Sequence, residues 1–205
     1  MLAKMRNLGE ACTAANRIYV HESLADSFTD KLSARMSALK VGDGTDPSVD
    51  VGPLVNADTR DKVAEFVSDA LAKGAKLECG GTVPNGPGFF YPPTVISNVP
   101  ETADCVHDEI FGPVAAIQTF TDEEDAIRRA NDTEYGLVAY VFGGDFKRAM
   151  QVCERLDYGM VGLNRGLVSD PAAPFGGTKQ SGLGREGGHE GMLEFMETQY
   201  ISAEW

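Results

Sequence analysis

The sequence predicts an α/β fold, a mostly parallel twisted sheet flanked by helices. Three observations carry that expectation. Strand-like and helix-like segments alternate along most of the chain, as strand–helix–strand units require. Two strand candidates, residues 137–142 and 160–163, are unbroken apolar runs, the pattern of strands covered on both faces. The chain has 205 residues, 42% of them hydrophobic and 24% charged, which allows a real core and excludes wholesale disorder.

Taken in order, Ile18, Tyr19 and Val20 read as a short strand. Ser23 then caps a helix whose Leu24, Phe28, Leu32, Met36 and Leu39 recur at helical spacing. A polar, turn-rich loop covers 42–53. A second helix places Val63, Phe66, Val67, Ala70 and Leu71 on one face and stops at Gly74. Residues 76–79 read as a strand ended by Gly80 and Gly81, and 82–88 as a Pro/Gly loop. Residues 114–120 are strand-like, and Thr121 with Glu124 makes a capping-box pattern for a helix through Asn131. After the apolar run 137–142, Asp145 opens a helix with Phe146, Ala149, Met150, Cys153 and Leu156 turned inward. Residues 160–163 form another buried strand. Beyond Asn164 the chain is Gly-rich to Gly191, followed by a short helix at 192–196 and a terminal strand at 199–202.

Charge and composition exclude several function classes. Thirty-one acidic residues against 18 basic ones give a net charge of −13, and no basic patch interrupts that field, so no nucleic-acid partner is expected. No apolar run approaches the ~18–20 residues that span a bilayer. The first ten residues carry Lys4, Arg6 and Glu10, which leaves no signal-peptide core. A cytoplasmic protein without a membrane partner is the expectation. Cys12, Cys79, Cys105 and Cys153 are too dispersed for a zinc ribbon or a disulfide framework. His21, His107 and His189 lack metal-ligand spacing, so no metal is expected.

Some motifs are to be discounted. Gly182-Leu183-Gly184-Arg185-Glu186-Gly187 fits the GxGxxG pattern, but a Gly/Pro loop precedes it where a phosphate-binding turn needs a strand. Asn131-Asp132-Thr133 is a glycosylation sequon only by letter, and the acidic run 122–125 reads as a helical first turn.

Cys12 is the chemical candidate. It follows Gly9 at the start of a small-residue stretch that reads as helical, and the positive end of a helix dipole favours a nucleophilic thiolate. By itself this residue is better explained as a buried structural cysteine.

Three separated segments, read together, go further. They are MRNLGEACTAANRIYV (5–20), EIFGPV (109–114) and PFGGTKQSGLGRE (174–186). Their order and separation resemble the catalytic half of the aldehyde dehydrogenase superfamily, and the third is most similar to the succinate-semialdehyde branch. The resemblance implies that Cys12 is the nucleophile, attacking an aldehyde to give a thiohemiacetal and then a thioester. Its backbone N–H would be one oxyanion donor. Glu109 would accept the hydroxyls of the nicotinamide ribose, and Phe111 would pack beside the nicotinamide of NAD or NADP. Arg6 and Ser181 would hold the distal carboxylate of the substrate, a task that suits a guanidinium fork. Glu10 is weighed as a base for the thiol and disfavoured, because its side chain should point away. Ala14 stands where some relatives carry a second cysteine, which removes that redox pair, and Arg165 is assigned no role.

The resemblance also implies a domain plan. Residues 1–191 would be the catalytic domain and 192–205 a helix/strand tail, its strand belonging to an oligomerisation sheet of a homo-oligomeric parent. An N-terminal coenzyme domain would hold most of the cofactor and supply two further catalytic groups. The chain is therefore expected to be a portion of an NAD(P)-dependent enzyme acting on a small carboxylated aldehyde, with little or no dehydrogenase activity by itself. The alternatives are a non-enzymatic assembly module and a cysteine esterase.

Overall fold

Four strands are held in one sheet by pairings that join distant parts of the chain. In the computed structural model, which describes residues 1–205, they are β1 (Arg17–His21), β2 (Lys76–Cys79), β3 (Thr94–Ser97) and β4 (Val114–Phe120). Their spatial order is β1-β4-β3-β2. β4 runs parallel to both β1 and β3, with Arg17 opposite Ala116 and Thr94 opposite Val114. β2 adds an antiparallel edge with an irregularity between Leu77 and Cys79. The sheet is therefore mixed rather than uniformly parallel.

These strands belong to the first of two compact units, Met1–Ala130. Its helices are α1 (Leu2–Met5), α2 (Glu22–Ser37), α3 (Ala57–Ala72), α4 (Asp104–His107) and α5 (Glu123–Asn131). Side-chain alternation divides the sheet between two apolar clusters. Val95, Ala115 and Ile117 join Leu32 and Met36 of α2 on one face. Ile96, Val114 and Ala116 join Val63, Val67 and Ala70 of α3, with Cys105 and Val106 of α4, on the other. Helices thus cover both faces, and every residue of β3 is buried.

β3 has no counterpart in the sequence reading. Four residues behind Pro92 and Pro93 give little periodicity, and their burial comes from neighbours on either side. The helix starts also shift. His21, not Ser23, caps α2, its ring nitrogen accepting from the Ser23 N–H. Leu24 is 61% exposed and Phe28 is exposed as well, so only the second half of the expected apolar face, Leu32 and Met36, reaches the core, together with Thr29. Asp122 rather than Thr121 stands at the start of α5, accepting from Glu124 N at 3.3 Å. The expectation for α3 holds. Asn56 accepts from Thr59 N at 2.8 Å, and Gly74, at φ +106°, lets Ala75 N return to Ala70 O at 2.9 Å.

The second unit, Asn131–Trp205, is smaller. β6 (Val138–Val141) and β7 (Met160–Leu163) pair in parallel through the intervening helix α6 (Phe146–Arg155), while β5 (Tyr135–Gly136) pairs antiparallel with β8 (Thr178–Lys179). Asp145 caps α6, accepting from Arg148 N at 3.1 Å. β6 is half-buried along its length, not covered on both faces, and belongs to a sheet of only two strands. Of the expected inward side chains of α6, Ala149 alone is fully buried, and Phe146 and Met150 are exposed. Gly182, Gly184 and Gly187 all have positive φ and shape turns, with α7 (Glu190–Leu193) the one short helix after them. Residues 199–202 form no strand, since no segment of this chain pairs with them. No helix is long and apolar enough to cross a membrane.

Ile96 tests β3 directly. It is fully buried between β2 and β4, so Ile96→Ala should cost about 2–5 kcal/mol of unfolding free energy in a urea titration. A loss below about 1 kcal/mol would show that β3 is not part of the core.

Candidate active site

The site is assembled where two chain segments enter neighbouring parallel strands. Cys12 lies five residues before Arg17, which begins β1, and Glu109 lies five residues before Val114, which begins β4. Parallel pairing of β1 with β4 brings both approaches to the same end of the sheet.

The first approach is a strained turn. A single 3-10 turn, Arg6–Gly9, follows α1, with Asn7 at φ 46° and Leu8 at φ 47°. Left-handed backbone costs a branched residue such as Leu8 about 1–2 kcal/mol, so packing must impose it. Gly9 has φ +86°, and a Cβ there would sit 2.2 Å from the Gly112 carbonyl oxygen. Only glycine allows the two backbones to come this close. Cys12 is exposed on the next turn, closed by Ala14 N donating to Ala11 O at 2.9 Å. The expected helix after Cys12 does not form. Ala15 N is already bonded to Ala3 O at 2.7 Å and β1 begins at Arg17, which leaves too few residues to nucleate one. A helix dipole is therefore not what acts on this thiol.

The second approach carries Glu109 and Phe111. Glu109 is exposed, Ile110 is fully buried, and Phe111 is held at φ 49°, a rare conformation for an aromatic residue. Helix α3 fixes this segment from behind. Lys62 donates to the Glu109 carbonyl at 3.1 Å, Val63 fills the space a Gly112 side chain would need, and Asp69 accepts from Asp104 N at 2.9 Å. Glu10 reaches the loop before α3, accepting from Val55 N at 3.1 Å. Its carboxylate thus ties this turn to the loop before α3.

Asn16 joins the two approaches. Its Nδ2 donates to the carbonyls of Cys105 and Asp108, both at 3.0 Å, and its Oδ1 accepts from Ile110 N at 2.9 Å. The sequence reading did not single out Asn16, Lys62 or Gly112. Each acts on residues far away in sequence, so no local pattern reveals it.

Lys4 was also overlooked, although a lysine inside an apolar helix start is a visible irregularity. It is 3% exposed, with its stem against Gly9. Burial lowers its pKa to about 8, against an opposing attraction to Glu109. Burial acts oppositely on Cys105, whose thiol is pushed up to about 11 and stays neutral. Cys153 is raised in the same direction by burial.

Arg6 is exposed at the end of α1. Ser181 lies in the second unit, where its Oγ accepts from Gly136 N at 2.9 Å. That bond uses a lone pair and leaves the hydroxyl hydrogen to donate elsewhere.

Cys12 thus stands on a turn before β1, and Glu109 and Phe111 on the approach to β4, at one end of a mixed sheet covered by helices on both faces. Residues 1–201 match the model of the aldehyde dehydrogenase family, and the chain belongs to that family. Within it, the chain is 56% identical over 201 residues to succinate-semialdehyde dehydrogenase of Paenarthrobacter nicotinovorans, covering 98% of this chain and 45% of that one. It is 45% identical to the NADP(+) succinate-semialdehyde dehydrogenase of Escherichia coli K12, covering 98% and 42%. The crystal structure of succinate-semialdehyde dehydrogenase from Burkholderia pseudomallei superposes with a TM-score of 0.92 at 48% identity, covering 94% and 40%. The chain thus spans less than half the length of each relative.

The buried amine of Lys4 makes stability depend on pH. Unfolded, it keeps its proton up to about 10.5, whereas folded it releases it near 8. Between those values the unfolded state binds more protons, so this group's contribution to stability rises with pH, by about 3 kcal/mol. Lys4→Met should therefore be the more stable protein at pH 7, with a difference that shrinks as pH approaches 10. Urea titrations across that range check it, and a difference independent of pH would contradict it.

Proposed function

We propose that this chain is the nucleophile-bearing portion of an NAD(P)-dependent aldehyde dehydrogenase that oxidises succinic semialdehyde, or a similar carboxylated aldehyde, to the acid. The observation that carries the reading is the placement of exposed Cys12 and Glu109 on adjacent parallel strand approaches. Cys12 Sγ adds to the aldehyde carbon and the carbonyl oxygen takes up negative charge. The Cys12 N–H, which makes no hydrogen bond within the chain, is free to donate to that oxygen.

The residues present fit a nicotinamide cofactor. The Glu109 carbonyl accepts from Lys62 while its carboxylate is exposed, so two acceptor oxygens remain for ribose hydroxyls. Phe111 offers an aromatic surface on a fixed backbone. NAD or NADP, when bound, supplies the hydride acceptor that turns the Cys12 thiohemiacetal into a thioester.

Arg6 pairs with the distal carboxylate of the substrate, and Ser181 donates its hydroxyl hydrogen to the same group. Residues 1–191 serve as the catalytic domain and 192–205 as the tail of a homo-oligomer, a role that the exposed Phe195, Tyr200, Ile201 and Trp205 suit. The chain alone turns over little, because most cofactor contacts and the groups that hydrolyse the thioester belong to a coenzyme domain. The setting is the cytoplasm, and neither nucleic acid nor membrane is a partner.

A chimera tests this reading. This chain replaces the matching segment of the Paenarthrobacter enzyme, and reduction of NAD(P) by succinic semialdehyde is followed. The chimera should be active, Cys12→Ala should abolish turnover, and Arg6→Gln should lower kcat/KM for succinic semialdehyde by about 10- to 100-fold while sparing an uncharged aldehyde. Turnover that survives Cys12→Ala, or an Arg6→Gln loss equal for both aldehydes, would contradict the assignment.

A further inference from the structure

Asn16 is a small side chain with an unusually consequential set of partners. It stands four residues beyond Cys12 and bonds to three residues 89 to 94 positions away. Both carbonyls it meets require a donor and the one N–H requires an acceptor, so the amide fits in one orientation only. Two of its partners, Asp108 and Ile110, flank Glu109 directly. With Lys62 on the Glu109 carbonyl, three consecutive residues have their main chain held.

The connection back to Cys12 is equally short of freedom. Ala14 is bonded to Ala11, Ala15 to Ala3, and Arg17 enters the β1–β4 ladder. Between the thiol and the Asn16 amide, Ala14 and Ala15 are thus both tied by main-chain bonds.

We infer that Asn16 is a positioning residue whose side-chain amide sets where the Glu109 carboxylate stands relative to the Cys12 thiol. The inference rests on the proposed reading of those two residues as acceptor and nucleophile. Other polar side chains would not substitute. Aspartate would set a second oxygen against two carbonyl oxygens. Serine is too short to reach all three partners, and glutamine adds a methylene to a cluster with fixed backbone on both sides.

The test uses the full 205-residue chain and the four cysteines it contains. Cys12 is alkylated at low ionic strength with iodoacetate, an anion, and with neutral iodoacetamide, and the two rates are read at the Cys12 peptide by mass spectrometry. A carboxylate near the thiol slows the anionic reagent selectively, so the rate ratio reports the charge of Glu109 at Cys12. Glu109→Gln should raise the iodoacetate-to-iodoacetamide ratio about twofold in the otherwise native chain. In an Asn16→Ala background the same substitution should leave the ratio unchanged, with Asn16→Ser intermediate. Asn16→Ser also serves if Asn16→Ala does not fold.

A purely structural role for Asn16 would lower the melting temperature and alter both rates alike, while the Glu109 effect on the ratio persisted. That persistence would overturn the inference and leave the reading of Cys12 and Glu109 intact. If Glu109→Gln has no effect even with Asn16 present, the two residues are not neighbours, and the reading falls together with the inference.

Discussion

Side-by-side parallel pairing of β1 and β4 is the constraint from which the site follows. A parallel ladder lets two segments about a hundred residues apart enter the sheet from the same end, and here those segments carry Cys12 and Glu109. The ladder alone would leave both approaches as loose loops. Three further contacts make them rigid: the Asn16 amide, the backbone approach of Gly9 to Gly112, and the bonds from α3 to the Glu109 segment. Removing the β1–β4 register would disperse all of them at once.

Rigidity in this unit coexists with local strain. Asn7, Leu8 and Phe111 all have left-handed backbone, and all three lie on the two approaches. Lys4 is a buried cation beneath the same turn. Each feature opposes stability, and two well-packed apolar clusters on either face of the sheet offset them. These unfavourable features all lie on the two approaches that carry Cys12 and Glu109.

Legibility in the sequence followed the range of the interactions involved. α3 was clear, because a strongly periodic segment ends at Gly74 and both signals are local, while its Asn56 cap emerges only from the structure. The strands 76–79, 114–120 and 160–163 were clear for the same reason. β3 was not, because four residues behind two prolines are a strand only by virtue of partners on both sides. The helix read after Cys12 was a local inference overruled by the nearby β1 ladder, and the inward face read onto α6 failed because β6 and β7 give that helix a narrow surface to cover. The proposed roles of Cys12, Glu109, Phe111, Arg6 and Ser181 came from three motifs read together. Asn16 lay inside one of those motifs and still went unnoticed, since its purpose appears only when residues 105–110 stand beside it.

Everything chemical here reduces to whether the Cys12 sulfur can add to an aldehyde carbon. The most direct measurement is protection of each cysteine from a neutral alkylating reagent by increasing succinic semialdehyde, resolved by peptide mass spectrometry on the native chain. Addition of the thiol across the aldehyde C=O, with its proton passing to the oxygen, blocks alkylation at that residue alone. The account predicts saturable protection of Cys12, with Cys79 and Cys153 unaffected and Cys105 slow throughout because it is buried. Absent protection, or protection shared equally with Cys79, would contradict it.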